Sequence, residues 1–275
     1  MVKREIFNKK LLIALSIIFS ILCLSACKEE TIIDDESDRP VILIGSSDYP
    51  PFVELDNNGE PTGLDIDILK EAANRIGYDI KLVTINWEDK DKHFEDGDID
   101  CVTGGFTIDG REDDYLWIGP YINSNQVVVV NETSDIDGLE DLEGKTIAVQ
   151  SSGIAEDILL EKKNSSIPDN IQIFSYEDNA LPFAALGCNY IDALVADEPA
   201  VNQYMEDYDV SFKILDEPLM VASVGTAFVK DGDEELCNKL NKAIYDMYKD
   251  GTLEKIIGTY FEDVDRYLGG IDFEK

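Results

Sequence analysis

The chain has one histidine, His93, among 275 residues. Imidazole is the commonest metal ligand and a frequent general base. A zinc centre or a Ser-His-Asp triad would therefore have to lean on that single ring, which argues against both. His93 reads as a solvated residue beside Lys90, Asp91 and Lys92. Cysteine is scarce too. Cys101, Cys188 and Cys237 show no metal-knuckle spacing and permit at most one disulfide among themselves, so no metal or other cofactor is expected. Basic residues number 23 against 58 acidic ones, a formal net charge of −35. Such a chain repels nucleic acid and anionic lipid heads. The charge reads as solubility and does not by itself imply a cationic ligand. Long apolar runs are missing after the first 24 residues, so nothing later crosses a membrane as a helix.

What is present begins at the N-terminus. Lys3, Arg4, Lys9 and Lys10 precede an apolar stretch from Leu11 to Leu24, which closes on Leu24-Ser25-Ala26-Cys27. A basic head, a short apolar middle and small residues before a cut make a secretory signal, and the middle is short for a permanent span. The last four residues resemble the lipobox of bacterial lipoproteins. That resemblance implies that residues 1–26 are removed and that the Cys27 thiol is acylated. It places the protein on the extracellular face of the cytoplasmic membrane, held by lipid. Residues 27–39 are polar and acidic with little to bury and read as a flexible tether, with globular sequence from Val41.

Strand and helix patterns then alternate. Val41–Ile44, Ile80–Val83 and Ile99–Val102 read as strands. Leu64, Ile68, Leu69, Ala72, Ala73 and Ile76 recur at helical spacing, and a short helix around Phe94 should end near Gly97. A second set follows residue 125. Its strands are Gln126–Val130, Lys145–Val149, Ile171–Phe174, Ala193–Val195 and Val221–Val229, with helices from about Ile154, around Leu181–Leu186 and from Pro199. Two helices, 233–249 and 251–259, close the chain, broken at Gly251. Two comparable α/β sets predict two lobes. Ligands collect beyond the carboxyl ends of such strands, so a cleft is expected where the ends face each other.

Several marks stand in order along Val41–Phe273: Asp48-Tyr49-Pro50-Pro51-Phe52, Gly63-Leu64-Asp65-Ile66-Asp67, Gly105-Phe106-Thr107-Ile108 with Arg111, Gly119-Pro120-Tyr121, Val149-Gln150, Ile191–Asp197 and Asp250-Gly251-Thr252. Together they resemble the extracellular solute-binding proteins of family 3, receptors of ABC importers for polar amino acids. The resemblance implies an α/β, periplasmic-binding-protein-like fold (type II), two lobes joined by a two-stranded hinge. Residues 40–123 plus 225–275 would form lobe 1 and 124–224 lobe 2. The crossovers fall near Tyr121–Gln126 and Ser223–Thr226, with the closing helices on lobe 1.

A free amino acid needs a cation for its carboxylate, an anion for its ammonium and walls for its side chain. Arg111 offers a planar fork that fits a carboxylate, and the resemblance assigns it that role; the alternative is a surface pair with Asp113 or Asp114. Asp197 ends a buried strand and is assigned the ammonium, the alternative being a helix cap before Glu198 and Pro199. Tyr49, Phe106 and Trp87 are the expected walls, and Phe52 core. Gly104, Gly105 and Thr107 offer backbone groups and a hydroxyl. Gln150, Ser152 and Gly153 sit where the opposite lobe's helix begins, which suits a carboxylate. Asp56-Asn57-Asn58-Gly59 reads as a hairpin turn, since the following spacing lacks calcium ligands.

The expected function is an amino-acid receptor, acting as a monomer, that hands its ligand to the membrane subunits of an importer. The alternatives are an enzyme on the same scaffold, such as a dehydratase of a cyclic acid using Asp197, Glu198 or a tyrosine, and a ligand-sensing module.

Overall fold

The computed structural model describes residues 38–271 and 273. The expected signal 1–26, the acylated Cys27 and the tether up to residue 37 lie outside the described residues. The tether does not run to residue 39 as expected. Arg39 is gripped by the fold: Nη2 donates to the Tyr78 carbonyl at 2.6 Å and Nη1 to Asn74 Oδ1 at 3.1 Å, with Asp79 3.2 Å away.

β1 (Val41–Ser46) is followed by a hairpin of β2 (Glu54–Leu55) and β3 (Pro61–Thr62). Its turn is fixed by Asp56 Oδ1, which accepts the Asn58 and Glu60 N–H groups, as a turn should and a calcium loop would not. α1 (Leu64–Ile76) buries its apolar stripe and stops at Gly77, whose φ of 83° only glycine adopts cheaply. β4 (Asp79–Thr84), α2 (Lys90–Asp96) and β5 (Cys101–Thr107) complete the first set. The strand expected at Ile99–Val102 thus starts later and runs further. β4, β1 and β5 are parallel neighbours, with β1 between them.

β6 (Tyr115–Asn131) is 17 residues long. The second set contains β7 (Thr146–Gln150), α3 (Ile154–Leu160), β8 (Gln172–Tyr176), α4 (Leu181–Gly187), β9 (Ala193–Asp197), α5 (Glu198–Tyr208) and the short β10 (Phe212–Ile214). β11 (Met220–Val229) returns to the first set, and α6 (Glu234–Asp250), α7 (Thr252–Tyr260) and α8 (Val264–Leu268) close the chain. The strand order is β4-β1-β5-β11-β6-β9-β7-β8, with β10 on β6.

β6 serves both strand sets. Over Tyr115–Gln126 it pairs with β11, and over Gln126–Val130 with β9. The two expected crossovers are therefore stretches of two long strands paired with each other. Each set has its own apolar core on α/β lines. One joins Ile44, Phe52, Leu64 and Ile68 to Leu240, Ile244, Leu253 and Ile257, so the closing helices pack on the first set. The other sets Val128, Ile147, Val149 and Val195 against α3. The fold is thus α/β with two lobes. Cys101 and Cys237 are buried free thiols and Cys188 is an exposed one.

Candidate functional site

The floor of the cleft is made by an irregularity in β5. Two more residues lie on β5 than on β11 between the pairs Phe106–Gly225 and Val102–Ala227. Gly104 and Gly105 take φ of 117° and 66° there, conformations that favour glycine. Their N–H groups leave the ladder, and Asp65 Oδ2 collects both at 2.9 Å, together with the Thr103 hydroxyl at 2.8 Å. Asp65 is fully buried at the start of α1, which explains its place in the Gly63–Asp67 motif. Thr103 in turn contacts Thr226 of β11 at 2.9 Å and Tyr121 of β6 at 3.3 Å, which ties the floor to both crossing strands.

On this floor stands an aromatic cluster. Trp87 meets Phe106 edge-on at 5.0 Å between centroids, and Phe106 also touches Tyr115 and Trp117. The Arg111 guanidinium lies 5.2 Å from the Phe106 ring centre, and its carbonyl accepts Trp117 Nε1–H at 3.1 Å. Lys90 is buried, its ammonium lies 5.4 Å from the Trp87 centroid, and burial lowers its pKa. His93, only partly exposed, sits 3.2 Å from Asp98. Arg111 does not pair with Asp113 or Asp114. Its Nη2 donates to Asp157 Oδ2 of α3 at 2.7 Å, across the cleft, and to the Ser152 carbonyl at 3.4 Å.

Asp197 stands on the other side. It is the N-cap of α5, yet its side chain makes no capping bond. It accepts Tyr49 O–H at 3.0 Å and Ser124 O–H at 2.9 Å and is hydrogen-bonded by Gln126. Ser124 and Gln126 lie two apart on β6, hence on one face, and Gln126 is the register partner of Asp197. Burial pushes the Asp197 carboxyl up to about 6 against the hydrogen bonds that hold it down. Burial beside that carboxylate drives the Tyr49 phenol well above its ordinary range. A carboxylate stripped of water and pointed at a cleft is arranged to receive a cation.

Tyr49, Trp87, Gly104, Gly105, Phe106, Thr107, Arg111, Gln150, Gly153 and Asp197 all line this one cleft. Ser152 does not line it; its N–H donates to Glu156 Oε2 at 2.7 Å. The N–H groups of Gly104 and Gly105 are spent on Asp65, so these glycines present backbone surface only. Phe52 is fully buried core, stacked on Tyr49 at 5.6 Å. Sequence reasoning passed over Gln126, Asn179, Phe183, Ile154 and Asp157. Ser124 and Gln126 carried a legible signal, two polar residues on a strand face that is otherwise apolar from Leu116 to Val130. Asp157 carried none, because acidic residues are ordinary in a first helical turn. Further contacts cross the cleft: Asn179 Nδ2 donates to the Asp48 carbonyl at 2.9 Å, and Asn86 Nδ2 to Glu177 at 3.3 Å.

Comparison with known proteins agrees with this fold. Residues 41–263 match the family model described as bacterial extracellular solute-binding proteins, family 3. The chain is 27% identical over 244 residues to the probable amino-acid-binding protein YxeM of Bacillus subtilis, covering 87% of this chain and 90% of that one. A solved ancestral arginine-binding protein bound to arginine superposes with a TM-score of 0.72 at 30% identity, covering 81% of this chain and 99% of the other. An ABC uptake transporter substrate-binding protein from Streptococcus pneumoniae with bound histidine gives 0.74 at 25% identity, covering 81% and 92%. With the family model spanning both lobes and the cleft between them, this chain belongs to the bacterial extracellular solute-binding proteins of family 3.

Proposed function

We propose that the cleft binds one free polar amino acid, its α-carboxylate on Arg111 and its α-ammonium on Asp197. The observation that carries this reading is a guanidinium and a buried carboxylate from opposite lobes on one aromatic-lined cleft. Ligand touching both sides favours the closed arrangement of the lobes. The side chain would lie among Trp87, Phe106, Ile154 and Phe183. Relatives crystallised with arginine and with histidine fit a zwitterion held by its shared backbone groups. We take residues 40–123 plus 225–275 as lobe 1 and 124–224 as lobe 2. A lipid on Cys27 would hold the monomer at the membrane, where the closed form delivers its cargo to an ABC importer. The cleft is read as binding rather than catalysing, since the groups around Asp197 are hydrogen-bond donors that fix it in place.

A thermal-shift screen over the common L-amino acids tests this. Ligand at a hundred times its Kd stabilises by about 2.7 kcal/mol, which a melting curve resolves. At least one amino acid should raise the melting temperature, and its N-acetyl derivative, which lacks the ammonium, should not. A flat screen would sink the proposal.

Binding should also depend on acid. An ammonium needs Asp197 ionised, and the carboxyl of the ligand-free protein titrates at about 6. Calorimetric affinity should therefore hold between pH 7 and 8 and fall by up to about tenfold per unit below pH 6. Constant affinity from pH 7 to pH 5 would separate Asp197 from the ammonium.

A further inference from the structure

The two forked edges of a guanidinium, Nε with Nη2 and Nη1 with Nη2, share the Nη2 nitrogen. In Arg111 that nitrogen is the one engaged, by Asp157 Oδ2 at 2.7 Å and by the Ser152 carbonyl at 3.4 Å. No hydrogen bond runs from Nε or Nη1 to a described residue. The Arg111 side chain is 12% exposed and that of Asp157 38%, so the contact is screened less than a surface pair. Asp157 belongs to the same first turn of α3 as Glu156, whose carboxylate takes the Ser152 N–H at 2.7 Å and also the Ser175 hydroxyl. Glu156 thus holds the Ser152 N–H outside the cleft lining, and Asp157 occupies the Arg111 nitrogen that both forks share.

We propose that Asp157 is an affinity-setting residue, a built-in carboxylate that competes with the ligand's own for Arg111 Nη2. The proposal rests on the reading of Arg111 as the carboxylate site. A ligand carboxylate gains a two-point grip only by displacing Asp157. Once displaced, Asp157 stays close and repels it as a like charge. Both effects oppose binding and both need the ligand to carry a carboxylate. Asp157 thereby weakens the receptor for amino acids and spares ligands that end in a neutral amide. It also gives the ligand-free protein a bridge between the lobes that binding exchanges for the ligand.

The test uses the intact chain with Asp157→Asn, and Asp157→Ser as a second variant that removes the charge with less bulk. The probes are an equimolar mixture of the common L-amino acids and the matched mixture of their α-carboxamides, titrated by thermal shift. The charge-free variants should lower the half-saturating concentration of the acids about fivefold. The amides should change by less than about twofold. In an Arg111→Ala background the same substitutions should no longer help the acids. Weaker or unchanged binding of the acids in both variants, or an equal gain for acids and amides, overturns the proposal. If Arg111→Ala alone leaves acid binding intact, or if the acids give no shift at all, the reading of the site itself has failed, and the competition falls with it.

Discussion

Arg111→Ala should weaken amino-acid binding by about a hundredfold or more while the ligand-free protein still folds. Removing one partner of a desolvated, hydrogen-bonded charge pair costs about 2–5 kcal/mol, and here the partner is the ligand carboxylate. The guanidinium contributes little to the lobes' own cores. It lies over Phe106 and holds Asp157, and Asp157 is exposed enough to be rehydrated when left alone. The melting temperature of the ligand-free variant should therefore move by only a few degrees, in line with about 1 kcal/mol. Isothermal calorimetry with the amino acid found in the screen measures the first effect and circular-dichroism melting the second. An unchanged Kd would remove Arg111 from the site. A collapsed fold would make it structural instead.

Asp197→Asn should separate binding from stability in the opposite sense. Replacing the carboxylate by an amide of the same shape removes the anion that faces the ammonium, with a loss of affinity again near a hundredfold. Without ligand, however, the wild-type carboxylate is a buried charge kept from water. Its carboxyl lies at about 6 when folded, against about 3.9 in an unfolded chain. A raised acid favours the fold only while protonated. Its contribution is full below pH 4 and lost as the pH rises through about 6. Asn escapes that penalty at every pH. At pH 8 the ligand-free variant should be more stable than wild type by about 1–3 kcal/mol, and the difference should shrink as the pH falls towards 4. Tyr49 and Ser124 bond different oxygens of Asp197, so the hydroxyl that faces the amide oxygen goes on donating while the one that faces the amide NH2 turns to accept from it. Urea unfolding at pH 8 and pH 4.5 gives the comparison. A variant less stable than wild type at both would show that Asp197 serves the fold first.

Much of this was legible in the sequence, for physical reasons. The apolar periods of β1, α1 and α6 are strong because each buries one face against a single core. Gly97 and Gly251 mark helix ends because each takes a positive φ there. The cleft residues that could be read are those whose chemistry is out of place locally: Arg111 in an acidic stretch, Asp197 at the end of an apolar strand. What stayed hidden depends on distance in space. The sequence shows a strand at Gln126–Val130 and a crossover near Tyr121–Gln126 as separate pieces; the structure joins both to Tyr115–Pro120 as one strand of 17 residues. The burial of Lys90, whose ammonium lies over the Trp87 ring, leaves no mark in a sequence stretch where its neighbours are charged. The partnership of Arg111 with Asp157 joins positions 46 apart in different lobes, and no local pattern encodes it.

The pairing of β6 with β11 bears on how easily the cleft opens. Backbone hydrogen bonds link these strands on both sides of the break opposite Gly225, where β6 carries two extra residues and a Cβ on Gly225 would come within 2.6 Å of the Ile118 carbonyl. At the break β11 is also paired with β5, and the two strands run without a third partner only over Val221–Ser223 and Asn123–Asn125, a short ribbon that can change twist about its long axis without breaking its ladder. On the proposed reading of a closing receptor, the balance between open and shut rests on a handful of side chains, Tyr49 with Asp197, Arg111 with Asp157, Asn179 with the Asp48 carbonyl. Selection can retune such a balance by exchanging single residues at the rim, leaving the folding of either half untouched.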